Sequence, residues 1–236
     1  MADSGGKISG EAAPQTPTAE QLSERLAEVW QRIEAAGGSK ATVQVIGVTK
    51  TFPIAVVHAA IAAGICDLGE NYAQEMVAKD EQAKADGLET NWHFIGGLQR
   101  NKVKLLAGRV TLWHTIDSQR LLDEVSKRCG SASVLIQVNT TDEAQKSGCA
   151  PDEAAALVEH GLAVGLEVRG LMTLGPTGGR DPRPSFDRLR ELAEVCEVSH
   201  LSMGMSADFE HAVAHGATMV RIGSTLFGDR ATGLVR

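Results

Sequence analysis

The stretch Val43-Gln44-Val45-Ile46-Gly47-Val48-Thr49-Lys50 decides the fold. Apolar residues run through it almost unbroken, and Pro53 and a helical pattern follow. A strand of a parallel sheet reads this way, because helices cover both of its faces. Lys50 closes the stretch, at the strand end where ligands collect in parallel α/β folds. Two readings of that lysine stand at this point. Its stem can lie along the apolar rim with the ammonium in water. Alternatively, the amine is kept partly desolvated, so that it can lose its proton and condense with a carbonyl.

From residue 43 onward one alternation repeats. The pattern predicts strands over 43–50, 66–69, 92–95, 110–116, 133–139, 166–174, 201–203 and 218–222. Helices are predicted over 53–63, 72–85, 99–107, 118–127, 151–163, 184–198 and 207–215. Eight strands, each followed by a helix or helical turn, predict an α/β fold: a (β/α)8 TIM-type barrel. The alternative, a doubly wound open sheet, uses fewer strands and often opens with a glycine fingerprint that the residues after Lys50 do not supply. Ahead of the barrel, Thr18 and Gln21 form a capping-box pattern, and Leu22, Leu26, Val29 and Ile33 make an apolar stripe. This predicts an added N-terminal helix covering the barrel's end or flank. Residues 1–17, rich in Gly, Ser, Ala, Pro and Thr, are expected to be a disordered tail, and residues 18–236 a single barrel domain.

Composition narrows the function classes. A 43% hydrophobic and 22% charged chain is ordinary for a soluble protein, and with 4% aromatics its core must be aliphatic. The formal charge of -7 argues against nucleic acid and anionic membranes as partners. No apolar run approaches the ~20 residues of a membrane span, and no targeting peptide is evident. Cys66, Cys129, Cys149 and Cys196 are scattered without metal spacing and read as reduced thiols of a cytoplasmic protein. His211 and His215 lack the glutamate of the zinc-protease motif and read as a polar helix face.

In a barrel the carboxyl ends of the strands converge on one mouth. Besides Lys50 they bring Glu70-Asn71-Tyr72, His93, Met203-Gly204-Met205-Ser206 and Arg221-Ile222-Gly223-Ser224. The loops after strands seven and eight often hold phosphate through backbone N–H groups. Ser206 is expected as the N-cap of the seventh barrel helix, and the amides of Gly223 and Ser224 as anion donors. Asp208 and Glu210 would repel an anion unless they turn away. Gly204 and Gly223 could equally serve only to make tight turns. An amine facing a phosphate site suits a ligand with an aldehyde and a phosphate: a sugar phosphate on a Schiff-base aldolase, or pyridoxal 5′-phosphate (PLP). Arg221 leans toward the second, facing a pyridine nitrogen, though an ion pair with a nearby carboxylate is its other reading.

The motifs Val48-Thr49-Lys50-Thr51, Gly69-Glu70-Asn71-Tyr72 with Gln74-Glu75, and Trp92-His93-Phe94-Ile95-Gly96 carry a resemblance. Leu98-Gln99, Asn101-Lys102, Gly170-Leu171-Met172-Thr173, Leu201 through Asp208, and Val220 through Ser224 with Phe227-Gly228 extend it. On these residues the chain resembles the PLP homeostasis proteins, relatives of the N-terminal barrel domain of bacterial alanine racemase. The resemblance spans about residues 20–228. Thr49 stands where serine is common, and Gly97 and Arg100 lie in a variable loop.

The resemblance implies that Lys50 carries PLP as an internal aldimine. It also implies that Ser206, Gly223 and Ser224 hold the phosphate and that Arg221 lies near the ring nitrogen. Asn71, His93 and Met203 are expected in the pocket. It further implies a monomeric, non-catalytic protein that buffers PLP and delivers it to apo-PLP-dependent enzymes in vitamin B6 homeostasis. Alanine racemase sets a tyrosine of a second domain opposite its lysine. Here Tyr72 is the only tyrosine and the chain ends soon after strand eight, so an open mouth with no opposed base is expected. A racemase or decarboxylase of fold type III is the second function class, and the aldolase the third. The basic residues Arg100, Lys102, Lys104 and Arg109 read as a solvated helix face or a docking patch. The Gly/Pro-rich loop over 175–184 is expected to be a mobile shield or to have no role.

Overall fold

The computed structural model describes residues 16–229. Of the expected disordered tail, residues 1–15 lie outside the described residues. Pro17 is buried, so the ordered chain begins just ahead of the capping box. In that box Thr18 Oγ1 accepts from Gln21 N and Gln21 Oε1 accepts from Thr18 N, and α1 (Ala19–Ala35) follows. Two of the orphan donors at its start are thereby satisfied.

The first half of the barrel runs β1 (Gln44–Val48), α2 (Ile54–Ala62), β2 (Asp67–Glu70), α3 (Ala73–Ala85), β3 (Asn91–Phe94), α4 (Val103–Leu106) and β4 (Val110–Ile116). The second runs α5 (Gln119–Cys129), β5 (Ser133–Gln137), α6 (Ala154–Ala163), β6 (Glu167–Met172), α7 (Arg183–Val195), β7 (His200–Met205), α8 (Phe209–Ala214), β8 (Met219–Ile222) and the single turn α9 (Ser224–Phe227). All eight strands are parallel and each pairs with its sequence neighbours. β1 closes on β8 with Gln44 opposite Met219 and Gly47 opposite Ile222. The expected (β/α)8 barrel is the fold. Among the described residues, no helix is long and apolar enough to cross a membrane.

Strand parity sorts the core into two layers. Between sheet and helices pack Leu68, Trp92, Phe94, Trp113, Met203, Val220 and the buried faces of the helices. Inside the barrel, Ile46, Leu112, Leu135, Met172 and Met219 form a smaller aliphatic cluster. The inward residues Asp67, His93, His114, Ser202 and Arg221 make the rest of that interior polar. α1 lies across the closing seam: Arg25 Nη1 donates to Leu226 O at 2.7 Å and Arg32 Nε to Glu210 at 2.6 Å. The Arg32 guanidinium also stacks over Phe209.

Candidate functional site

The mouth holds a cavity of about 460 Å³. Of the residues expected in a pocket, Lys50, Asn71, Ser206, Arg221, Gly223 and Ser224 line it. Val48, Ile95 and Leu174 give it an apolar wall.

Lys50 stands just beyond β1, and the backbone around it is pinned from beneath. Lys79 Nζ, brought up by α3, donates to Thr49 O, Glu70 Oε1 and Glu75 Oε1, each at 2.7 Å. Thr49 Oγ1 donates to Glu70 Oε1 at 2.7 Å, and Thr51 N donates to Glu75 Oε1 at 2.5 Å. Thr51 is held at φ +65°, a left-handed conformation that costs a β-branched residue about 1–2 kcal/mol. Burial pushes the Glu70 carboxyl above its ordinary range, against the charge and hydrogen bond of Lys79. A buried ion pair thus fixes the turn that presents Lys50.

The anion donors differ in detail from the sequence expectation. Strand β7 runs on to Met205, and the N-cap of α8 is Asp208, not Ser206. Asp208 Oδ1 accepts from Met205 N at 2.6 Å, and Glu210 turns to Arg32. Ser206 is released from capping, and its Oγ receives Gly223 N at 3.1 Å and Thr225 N at 3.4 Å. The Ser206 hydroxyl on the cavity wall is thus held by two backbone N–H groups, which leaves its own proton for an anion. Thr225, which sequence reasoning missed, supplies one of them. Of the two glycines weighed as turn-formers, Gly204 has the left-handed backbone, φ +87°, and a Cβ there would lie 2.5 Å from that of Ala212. Gly223 sits at φ -110°.

Arg221 reaches the cavity from β8. Its Nη1 donates to Ser202 Oγ at 2.6 Å and its Nη2 to Thr173 O at 2.8 Å. Burial lowers its pKa to about 10, so the guanidinium stays charged at neutral pH. Asn71 adds an acceptor: its Oδ1 is buried with no hydrogen-bond partner among the described residues.

Two expected pocket residues are not at the cavity. Met203 is fully buried in the layer between sheet and helices, because its parity is opposite to that of Ser202. His93 does point into the barrel, but Ile95, two residues nearer the mouth on the same face, takes the place at the cavity wall. His93 lies a layer deeper, with Nδ1 2.9 Å from His114 Nε2 and Nε2 3.1 Å from Asp67 Oδ1. Tyr72 is exposed and lines a separate surface pocket.

The loop between β6 and α7 covers one side, through Leu174, Gly175, Pro176 and Thr177. It is tethered to Glu143, which accepts from Thr177 N at 3.0 Å and Thr177 Oγ1 at 2.5 Å and pairs with Arg180. Those hydrogen bonds hold the Glu143 carboxyl at about 2. Lys146 also lines the cavity, with its Nζ on Gly175 O and 3.3 Å from Glu143. Of the basic residues near α4, Arg109 pairs with Asp80 and Glu81, and Arg100 lies 3.8 Å from Glu124. His215 pairs with Asp187 at 2.7 Å, and the four cysteines are free thiols. The described residues contain no cluster of three or more metal-type ligands.

An amine, a serine hydroxyl held by two backbone amides, a fixed guanidinium and an unpartnered acceptor around one cavity suit a small aromatic or sugar aldehyde carrying a phosphate.

Comparison with known proteins points the same way. Residues 21–231 match the family described as alanine racemase, N-terminal domain. The pyridoxal phosphate homeostasis protein of Aquifex aeolicus is 42% identical over 224 residues, covering 88% of this chain and 97% of that protein. That of Pseudomonas aeruginosa is also 42% identical over 224 residues, covering 91% and 96%. Among solved structures, PipY of Synechococcus elongatus PCC7942 with PLP bound superposes with a TM-score of 0.76 at 31% identity, covering 88% of this chain and all of that one.

Proposed function

The chain belongs to the alanine racemase N-terminal domain family and, within it, to the pyridoxal phosphate homeostasis proteins, and on that premise we propose that it binds PLP in the mouth cavity, buffers it and delivers it to other enzymes. The observation that carries this reading is the convergence of Lys50, the Ser206 hydroxyl and Arg221 on one cavity. Lys50 Nζ holds the cofactor as a Schiff base. Ser206 Oγ and the Gly223 and Ser224 amides hold the phosphate, and Arg221 faces the ring nitrogen. When bound, PLP supplies an aldehyde for amines and a ring able to accept electron density from a carbanion.

This chain's residues favour holding the cofactor over turning over amino acids. Racemisation needs two positioned acid–base groups on opposite faces. Tyr72 and His93 do not line the cavity, and Lys146 is tied to Gly175 O and Glu143. Arg221, charged and held by two acceptors, cannot hand a proton to the ring nitrogen, so a carbanion would be weakly stabilised. The protein works as a non-catalytic monomer in the cytoplasm, with apo-PLP-dependent enzymes as recipients.

The test is direct. Purified protein incubated with PLP turns yellow, and borohydride followed by peptide mapping finds the pyridoxyl group on Lys50. The loaded protein reactivates an apo-PLP enzyme while turning over L- and D-amino acids far below the ~10 per second of typical enzymes. A label confined to another lysine, or turnover at that rate, overturns the proposal.

A further inference from the structure

The barrel interior carries a hydrogen-bond chain that the proposed function does not use. It starts at Arg221, passes Ser202 Oγ (2.6 Å), His114 Nδ1 (2.9 Å), and from His114 Nε2 to His93 Nδ1 (2.9 Å), and ends from His93 Nε2 at Asp67 Oδ1 (3.1 Å). It crosses five strands, β8, β7, β4, β3 and β2. Asp67 lies at the opposite end of the barrel from the mouth, on a second cavity of about 580 Å³, with Gln44, Lys40, Trp30 and His200.

The two ends set the direction of the bonds that reach them, and the number of protons on His93 sets the two between. A guanidinium only donates and a carboxylate only accepts. Burial raises the Asp67 carboxyl, but hydrogen bonds from His93, Gln44 and Asn91 hold it below its ordinary value. Burial above all, with the charge of Arg221 nearby, keeps His114 neutral. His93 must therefore donate Nε2–H to Asp67. If His93 carries that proton alone, its Nδ1 accepts from His114 Nε2–H, whose Nδ1 accepts the Ser202 hydroxyl. Ser202 then offers a lone pair to Arg221. In this one arrangement all four links are satisfied with both rings neutral.

We propose that Asp67 is a positioning residue for Arg221: by fixing the polarity of the His93–His114–Ser202 chain, it holds the guanidinium in the cofactor cavity from the far end of the barrel. The effect on cofactor binding rests on the PLP reading above; the effect on Arg221 does not.

The experiment separates the two. Nitrogen-15 NMR of the PLP-free protein reads the imidazole tautomers and the rotation of the Arg221 Nη groups. Wild type is expected to show both imidazoles neutral with the proton on Nε2, and slow Arg221 Nη rotation. D67N keeps the size but removes the charged acceptor, so His114 gives mixed tautomer signals and Arg221 rotates faster. PLP affinity is expected to fall about tenfold with a shifted visible spectrum, although residue 67 is outside the cavity. S202A, which cuts the chain beside Arg221, shifts Arg221 rotation and affinity the same way, and decides the coupling if D67N does not fold. A His114 proton on Nδ1 in wild type overturns the proposal. So does a folded D67N with wild-type Arg221 rotation. If wild type does not bind PLP, the functional reading fails while the NMR still decides the chain.

Discussion

Lys50 owes its setting to side chains on the far side of its own backbone. Lys79, Glu70 and Glu75 hold Thr49 and Thr51, and the residue between them has little choice of position. Lys50→Ala is expected to abolish the yellow species and weaken PLP binding by more than a hundredfold, with thermal unfolding unchanged, because a rim lysine adds little to the core. Lys79→Met behaves oppositely. It leaves the Glu70 carboxylate buried and unpaired, at a cost of about 3–5 kcal/mol in urea unfolding. The double variant Lys79→Met/Glu70→Gln recovers a large part of that loss. Simple additivity of the two single changes would show that the pair is not coupled. Sequence motifs exposed Lys50 and the loops of Ser206 and Arg221. They could not reveal Lys79 as a brace, since only the Glu75 pair has helical spacing, while the bonds to Glu70 and to Thr49 O join it to two strand ends.

At the scale of the element, strand parity explains the differences from the sequence reading. The rhythm of apolar runs and helical stripes located all eight strands, because each is buried on both faces and interrupted by turns. It did not tell how far β7 extends. Two more strand residues moved the α8 cap from Ser206 to Asp208 and turned Ser206 to the amides of Gly223 and Thr225. The same alternation turned Met203 outward and set His93 a layer below Ile95. The loop between β6 and α7 makes a pH prediction. Glu143 is depressed to about 2, so its contribution is fully present above the ordinary carboxylate pKa of about 4.3 and is lost as pH falls toward 2. Hydrogen exchange over residues 174–180, corrected for the intrinsic pH effect, is expected to be as slow at about pH 5 as at pH 7. In Glu143→Gln it is faster at both. A loop that loosens at pH 5 in wild type would mean that Glu143 is not its tether.

For the whole molecule, stability and chemistry are divided between the two layers of the core. The helices and the outer sheet face carry most of the apolar burial, while the interior is partly given over to polar groups that lead to the mouth. Ile33, fully buried on the inner face of α1, tests that division. Ile33→Ala is expected to cost about 2–5 kcal/mol, lowering Tm by roughly 2–4 °C per kcal/mol for a chain of this size, with PLP affinity unchanged. A large loss of affinity in a protein that remains folded would show that the layers are not separable.

The seam between β1 and β8 has a consequence for how the protein is made. β1 leaves the ribosome long before β8, its partner on one side, has been synthesised. Until β8 arrives, the nascent sheet has two unpaired borders of parallel strand, the kind of surface that joins to other chains. α1, whose arginines reach Leu226 and Glu210, must wait as well. Closure is therefore a late event, and a chain stalled before residue 219 is expected to depend on chaperones for its solubility.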